Sequence, residues 1–105
     1  MSEKTIMLCC TAGMSTSMMV SRMQKVAEQS GLDYKIFAKP TAEAGDILHN
    51  EKIDCILLGP QVKYLKAEFE KKYQSFNVPI AIIDMAAYGM MDGKKVLEQA
   101  QSLMS

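Results

Sequence analysis

Four short apolar runs punctuate the chain, Thr5 to Cys10, Tyr34 to Ala38, Asp54 to Leu58 and Ile80 to Ile83, and hydrophobic residues recur between them at helical spacing. Runs of this length, without polar alternation, read as strands buried on both faces. After the first run, Met19, Met23, Val26 and Ala27 fall at i, i+4, i+7 and i+8, predicting a helix from about Ser15 to Ser30 with Gly31 as its C-cap. Thr41, after Pro40, is placed to cap a short second helix carrying Ala44, Ile47 and Leu48. Leu65, Phe69 and Tyr73 form one stripe of a third helix over about 63 to 74, stopped before Val78-Pro79. Val96, Leu97, Ala100, Leu103 and Met104 mark the inner face of a fourth, from about Gly93 to Ser102. Strict alternation of strand and helix predicts a parallel sheet with right-handed crossovers and helices on both faces.

In open sheets of this kind ligands bind beyond the carboxyl ends of the strands, where the strand order reverses. Three stretches therefore draw attention: the residues after Cys10, Gly59-Pro60-Gln61, and Asp84 to Tyr88. The first is Cys10-Thr11-Ala12-Gly13-Met14-Ser15-Thr16-Ser17, where small and hydroxylated residues connect a strand to a helix start. Their backbone N–H groups, with the positive end of the helix, can converge on an anion just beyond the Cys10 sulfur. A thiol accepts a phosphoryl group as its thiolate, and an ordinary thiol is only a few per cent ionised at neutral pH. An exposed helix terminus stabilises an anion by about 0.3 to 1 kcal/mol. Direct donors contribute about 1.5 to 3 kcal/mol each; the hydroxyls of Thr11, Ser15, Thr16 and Ser17 are of the right kind.

Length and composition narrow the chemistry. The 105 residues, 49% hydrophobic, suffice for a single domain spanning residues 1 to 105. Twelve basic residues balance twelve acidic ones, and no run of Lys or Arg exceeds two, so neither nucleic acid nor an anionic membrane is indicated as a partner. No apolar stretch approaches the roughly 18 residues of a membrane span. The start, Met1-Ser2-Glu3-Lys4, lacks the apolar region of a signal peptide, which predicts an intracellular protein with reduced thiols. The three cysteines have no Cys-x-x-Cys spacing, so no metal site is expected. Gly13 belongs to no nucleotide or dinucleotide loop, so no cofactor is expected either. Cys9 points away from Cys10 by strand alternation, and Cys55 lies within a strand; both are expected in the core.

A low-molecular-weight cysteine phosphatase is the competing reading, since its loop has the form Cys-x5-Arg on a similar sheet. Counting from Cys10 places Thr16 where that arginine belongs, and the chain's one arginine is Arg22. Without a planar cation to neutralise charge developing on the phosphoryl group, hydrolysis loses its main support. A cradle that holds phosphate without speeding its loss suits a carrier. A non-catalytic regulatory domain of the same fold is the third reading.

These residues resemble the cytoplasmic B component (enzyme IIB) of the lactose/cellobiose class of the bacterial sugar phosphotransferase system. The resemblance rests on Cys10 to Ser17, on Leu57-Leu58-Gly59-Pro60-Gln61 with Tyr64, and on Ile83-Asp84 followed by Tyr88-Gly89 and Asp92-Gly93. It implies a four-stranded parallel sheet in the order 2-1-3-4 within a three-layer α/β domain similar to the low-molecular-weight tyrosine phosphatase core. It implies that Cys10 takes phosphate from a phosphohistidine on the soluble A component and passes it to a sugar bound in the membrane C component. Cellobiose, chitobiose and lactose stay open as that sugar. The expected phosphate-binding residues are Thr11, Ala12, Gly13, Met14, Ser15, Thr16 and Ser17, with Gly59, Pro60, Gln61, Tyr64, Asp84 and Tyr88 at the rim. Tyr64 has a second reading as a core residue, and Asp84 as either a general acid or a loop anchor. His49, the sole histidine, reads as a solvated residue at a helix end. Met14 and Met18 are expected near the loop, where flexible thioethers suit docking to two partners in turn, and most other methionines, such as Met23, in the core.

Overall fold

The computed structural model describes residues 3–10 and 14–104, the side chains of residues 14 and 15 excepted. In chain order the elements are β1 (Lys4–Cys10), α1 (Met14–Gln29), β2 (Tyr34–Pro40), α2 (Ala44–Asn50), β3 (Cys55–Leu58), α3 (Lys66–Lys72), β4 (Ile80–Ile82), α4 (Met85–Gly89) and α5 (Gly93–Met104). The four strands form one parallel sheet in the order β2-β1-β3-β4. The strand order reverses beside β1, because β2 pairs on one side of it and β3 on the other.

Side-chain alternation along the strands divides the core in two. Ile6 and Leu8 of β1, with Cys55 and Leu57 of β3, pack beneath α1 and α5 against Met19, Met23, Ala27, Val96, Leu97 and Ala100. Met7 and Cys9 of β1, with Ile56 and Leu58 of β3, pack on the opposite face beneath α2 and α3 against Ala44, Leu48, Phe69 and Tyr73. Burial of both faces explains why β1 and β3 read as continuous apolar runs. The helical stripes expected in α1, α3 and α5 all turn inward, with Leu103 and Met104 packing at the edge of the first cluster.

Gly31 takes φ of 71° immediately after α1. Its N–H donates to the Glu28 carbonyl at 3.1 Å, and the Leu32 N–H donates to the Ala27 carbonyl at 2.9 Å. These bonds satisfy carbonyls at the helix end and require the left-handed conformation that glycine adopts without a Cβ penalty.

Three local features differ from the sequence expectation. Thr41 does not cap α2: it lies in a 3-10 turn, Thr41–Glu43, and no side-chain cap bond forms there or at Glu43. The third helix is not continuous from residue 63. Pro60 starts a 3-10 segment, Pro60–Leu65, and Val62, at φ −119° and ψ 24°, interrupts it so that its side chain enters the core. The third difference is α4, a one-turn helix unseen in the hydrophobic pattern because only Ala87 of its five residues is fully buried.

Candidate functional site

The register of the sheet brings the proposed site together at its carboxyl edge. Cys9 pairs with Leu58, and Cys10 with Pro40. The Gly59 N–H donates to the Cys9 carbonyl at 2.9 Å and the Ile83 N–H to the Leu58 carbonyl at 2.9 Å. The ends of β1, β3 and β4 are thus aligned, and Cys10, Gly59 and Asp84 emerge in sequence across one edge.

Cys10 is 2% exposed. It has the parity of Ile6 and Leu8, so its side chain belongs to the α1 side of the sheet. Cys9 lies in the opposite core cluster, and Cys55 is fully buried too. Burial pushes the Cys9 thiol up to about 12, with the neighbouring Cys10 as the lesser cause, and burial pushes the Cys55 thiol up to about 12, with Asp54 adding to it. Both stay protonated and structural, in agreement with the sequence reading.

Residues 11 to 13 and the side chains of Met14 and Ser15 lie outside the described residues, and with them much of the expected phosphate loop. The remainder sits on the first turn of α1. Ser17 is exposed, while Thr16 is fully buried and its Oγ1 is the buried side-chain oxygen that lacks a hydrogen-bond partner among the described residues. An unmet buried hydroxyl costs about 1 to 3 kcal/mol. Arg22 lies in the middle of α1, its backbone against Gly93 of α5.

Gly59 is buried and separates Cys10 from Gln61. A Cβ at this position would stand 2.8 Å from Gln61 Oε1 and 3.5 Å from Cys10 Cβ. The missing side chain therefore lets the Gln61 amide fold back beside the cysteine. Gln61 Nε2 donates to the Tyr88 hydroxyl at 3.3 Å, joining the segments after β3 and β4. Pro60 starts the 3-10 segment and is half-buried.

Asp84 caps α4: its Oδ2 accepts the Ala87 N–H at 2.9 Å, and its carbonyl accepts the Tyr88 N–H. Of its two sequence readings, this is the anchoring one. Tyr64 is 72% exposed, which removes its reading as a core residue. Met18, Met85 and Met90 are also largely exposed, whereas Met7, Met19 and Met23 are buried. His49 is exposed at the end of α2, its Nδ1 2.7 Å from the Gly45 carbonyl and its ring edge-on to Phe76. The sequence reading missed Gln99. Its amide bonds the backbone at both Ile82 and Asp84, and a polar residue between the apolar positions of α5 gave no signal of that role.

A parallel four-stranded sheet ordered 2-1-3-4, with helices on both faces and Cys10 at the carboxyl end of β1, defines a small open-sheet α/β protein, a class that binds its ligands beyond the carboxyl ends of the strands. The family described as "PTS system, Lactose/Cellobiose specific IIB subunit" matches residues 5–99, and the chain belongs to this family. It is 50% identical over 108 aligned residues to the galactose-specific EIIB component of Lactococcus lactis subsp. cremoris, covering 100% of both chains. It is equally 50% identical, again over 100% of both, to the cellobiose-specific EIIB component of Lactococcus lactis subsp. lactis. Among solved structures, the cellobiose-specific IIB component of Borrelia burgdorferi superposes with a TM-score of 0.79 at 34% identity, covering 98% of this chain and 93% of that one. The chain is thus a IIB component of a sugar phosphotransferase system of the lactose/cellobiose type. No helix among the described residues is long and apolar enough to cross a membrane.

Proposed function

We propose that this chain is a cytoplasmic phosphoryl carrier acting through Cys10 as a single domain. The Cys10 thiolate attacks the phosphorus of a phosphohistidine on the A component. The S–P bond forms as the N–P bond breaks, and the histidine nitrogen leaves with the electron pair. A hydroxyl of the sugar bound in the membrane C component then attacks the same phosphorus. The O–P bond forms, the thiolate departs, and the hydroxyl proton passes to a base outside this chain. The amides that follow Cys10, from Thr11 through Gly13 to Ser15, hold the phosphoryl oxygens in this scheme, joined by the hydroxyls of Thr16 and Ser17.

The observation that carries the reading is Thr16. A neutral, buried hydroxyl with no partner among the described residues stands where a hydrolase of this loop spacing carries arginine. A phosphoryl oxygen would supply its missing partner, while no cation is added to pull the phosphoryl group towards water. The near-complete burial of Cys10 supports the same conclusion, because bulk water is kept from the sulfur. Relatives named for galactose and for cellobiose are equally similar to this chain, consistent with a β-linked disaccharide or related sugar being selected by the C component.

The test is transfer of labelled phosphate from the phosphorylated A component, followed by peptide mapping. Label is expected on Cys10, and it is expected to vanish in Cys10→Ser. Label on Cys9, or equal labelling of Cys10→Ser and the parent, would overturn the assignment. Rapid turnover of an aryl phosphate without any partner would favour the phosphatase reading instead.

A further inference from the structure

β2 and β4 are the outer strands of the sheet, and each receives a glutamine side chain from a helix. Gln24 of α1 donates from Nε2 to the Ile36 carbonyl of β2 at 2.8 Å. Gln99 of α5 donates from Nε2 to the Ile82 carbonyl of β4 at 2.8 Å and accepts, through Oε1, the Asp84 N–H at 3.0 Å. The two residues do the same work on opposite edges, but what lies beyond each differs. Ile36 is in the middle of its strand. Ile82 and Asp84 bracket the point where β4 ends and the chain turns into α4.

From that corner a continuous set of hydrogen bonds reaches Gln61, which lies against Gly59 next to the cysteine. Asp84, held at its N–H by Gln99, uses its carboxylate on the Ala87 N–H and its carbonyl on the Tyr88 N–H, so it sets where α4 begins and how it is aimed. Tyr88 then receives the Gln61 amide. Gln61 in turn rests over Gly59, which adjoins Cys10. A five-residue helix has little stability of its own, so its direction depends on these end bonds.

We infer that Gln99 is a positioning residue for the Cys10 site, acting through Asp84 and Tyr88 to hold Gln61 against Gly59, next to Cys10. The inference rests on Cys10 being the phosphoryl acceptor. Gln99 is bonded to the backbone at Ile82 and Asp84, and its effect on the site is through the placement of Tyr88 and Gln61.

The experiment compares single-turnover phosphate uptake from the A component in Gln99→Ala, Gln99→Met and Gln24→Ala, with thermal melting of each. Gln99→Met keeps the length of the side chain and removes both bonds, so lost packing is not the cause of its effect. Both Gln99 variants are expected to take phosphate about five- to tenfold more slowly than the parent, the range that one or two hydrogen bonds support. Gln24→Ala is expected to lose a similar amount of thermal stability and to transfer at the parent's rate. Tyr88→Phe added to Gln99→Met is expected to slow transfer no further, because both changes break one chain of contacts. Parent-like rates in the Gln99 variants, equal slowing in Gln24→Ala, or independent multiplication of the Tyr88 and Gln99 effects would overturn the inference. A parent protein that takes no phosphate on Cys10 would instead overturn the functional reading, and the inference with it.

Discussion

Gly93, the first residue of α5, lies directly on the backbone of Arg22 in α1. A Cβ at residue 93 would stand 2.8 Å from both the carbonyl carbon and the Cβ of Arg22. The closest approach of the two helices on this face is therefore set by the absence of one methyl group.

Gly93→Ala is expected to destabilise the protein. Overpacking against backbone costs about 1 to 3 kcal/mol, whereas alanine gains at most about 1 kcal/mol of helix propensity over glycine. Thermal melting should show a midpoint lower by several degrees, at about 4 to 8 °C per kcal/mol for a domain of this size. An unchanged midpoint would mean that the helices separate without cost.

Two other glycines should respond differently although neither has an atom within 4 Å of its missing Cβ. Gly31→Ala forces a side chain into the left-handed region and is expected to lose about 1 to 2 kcal/mol. Gly89→Ala, in the last turn of α4, is expected to be neutral or to gain up to about 1 kcal/mol. Urea denaturation of both variants distinguishes backbone conformation from space as the cause.

Thr16→Val tests the orphan hydroxyl. The variant keeps the shape and removes an unmet buried polar atom, so it is expected to raise stability by about 1 kcal/mol. The same change is expected to slow phosphate uptake if, as proposed, the oxygen binds the phosphoryl group. A variant that is both less stable and fully active would show that the hydroxyl serves only the fold.

Gly59→Ala is expected to leave the protein folded and to impair transfer. The new methyl displaces the flexible Gln61 amide at 2.8 Å and meets Cys10 Cβ at ordinary contact distance. Side-chain amide resonances of Gln61 should move while the melting midpoint changes little.

The two core thiols predict a specific alkaline dependence. Cys9 and Cys55 are held protonated up to about 12 in the folded state against 9.0 ordinarily. Unfolding releases their protons once the pH passes about 9, so stability is complete below that value and falls as the pH rises towards 12. At about pH 10.5 each thiol accounts for a loss on the order of 2 kcal/mol. Denaturation curves of Cys9→Ala and Cys55→Ala between neutral pH and about 10.5 should be correspondingly flatter, and slopes equal to the parent's would contradict this.

Most of the scaffold was legible because its signals are local and repetitive. β1 and β3 announce themselves by apolar runs, and Met19 with Met23 or Leu97 with Ala100 mark helix faces that turn inward as expected. What escaped depends on contacts distant in sequence. Thr41 looks like a helix cap, but the chain enters α2 through a 3-10 turn that needs no cap. Tyr64 reads as either a core or a rim residue, and the break at Val62, which takes the inward position itself, leaves Tyr64 exposed. Asp84 and Gln99, fifteen residues apart, form a joint that no spacing in either segment reveals.

The glutamines on the sheet edges have a consequence for self-association. The formal net charge of the chain is zero, so copies approaching one another meet no long-range repulsion. Open strand edges are then the hazard, because they template pairing with another chain. Here the Gln24 and Gln99 amides already occupy outward-facing backbone groups of β2 and β4, and Lys35 and Lys39 stand exposed along β2. The barrier to strand exchange between molecules is thus built bond by bond at the two margins of the sheet.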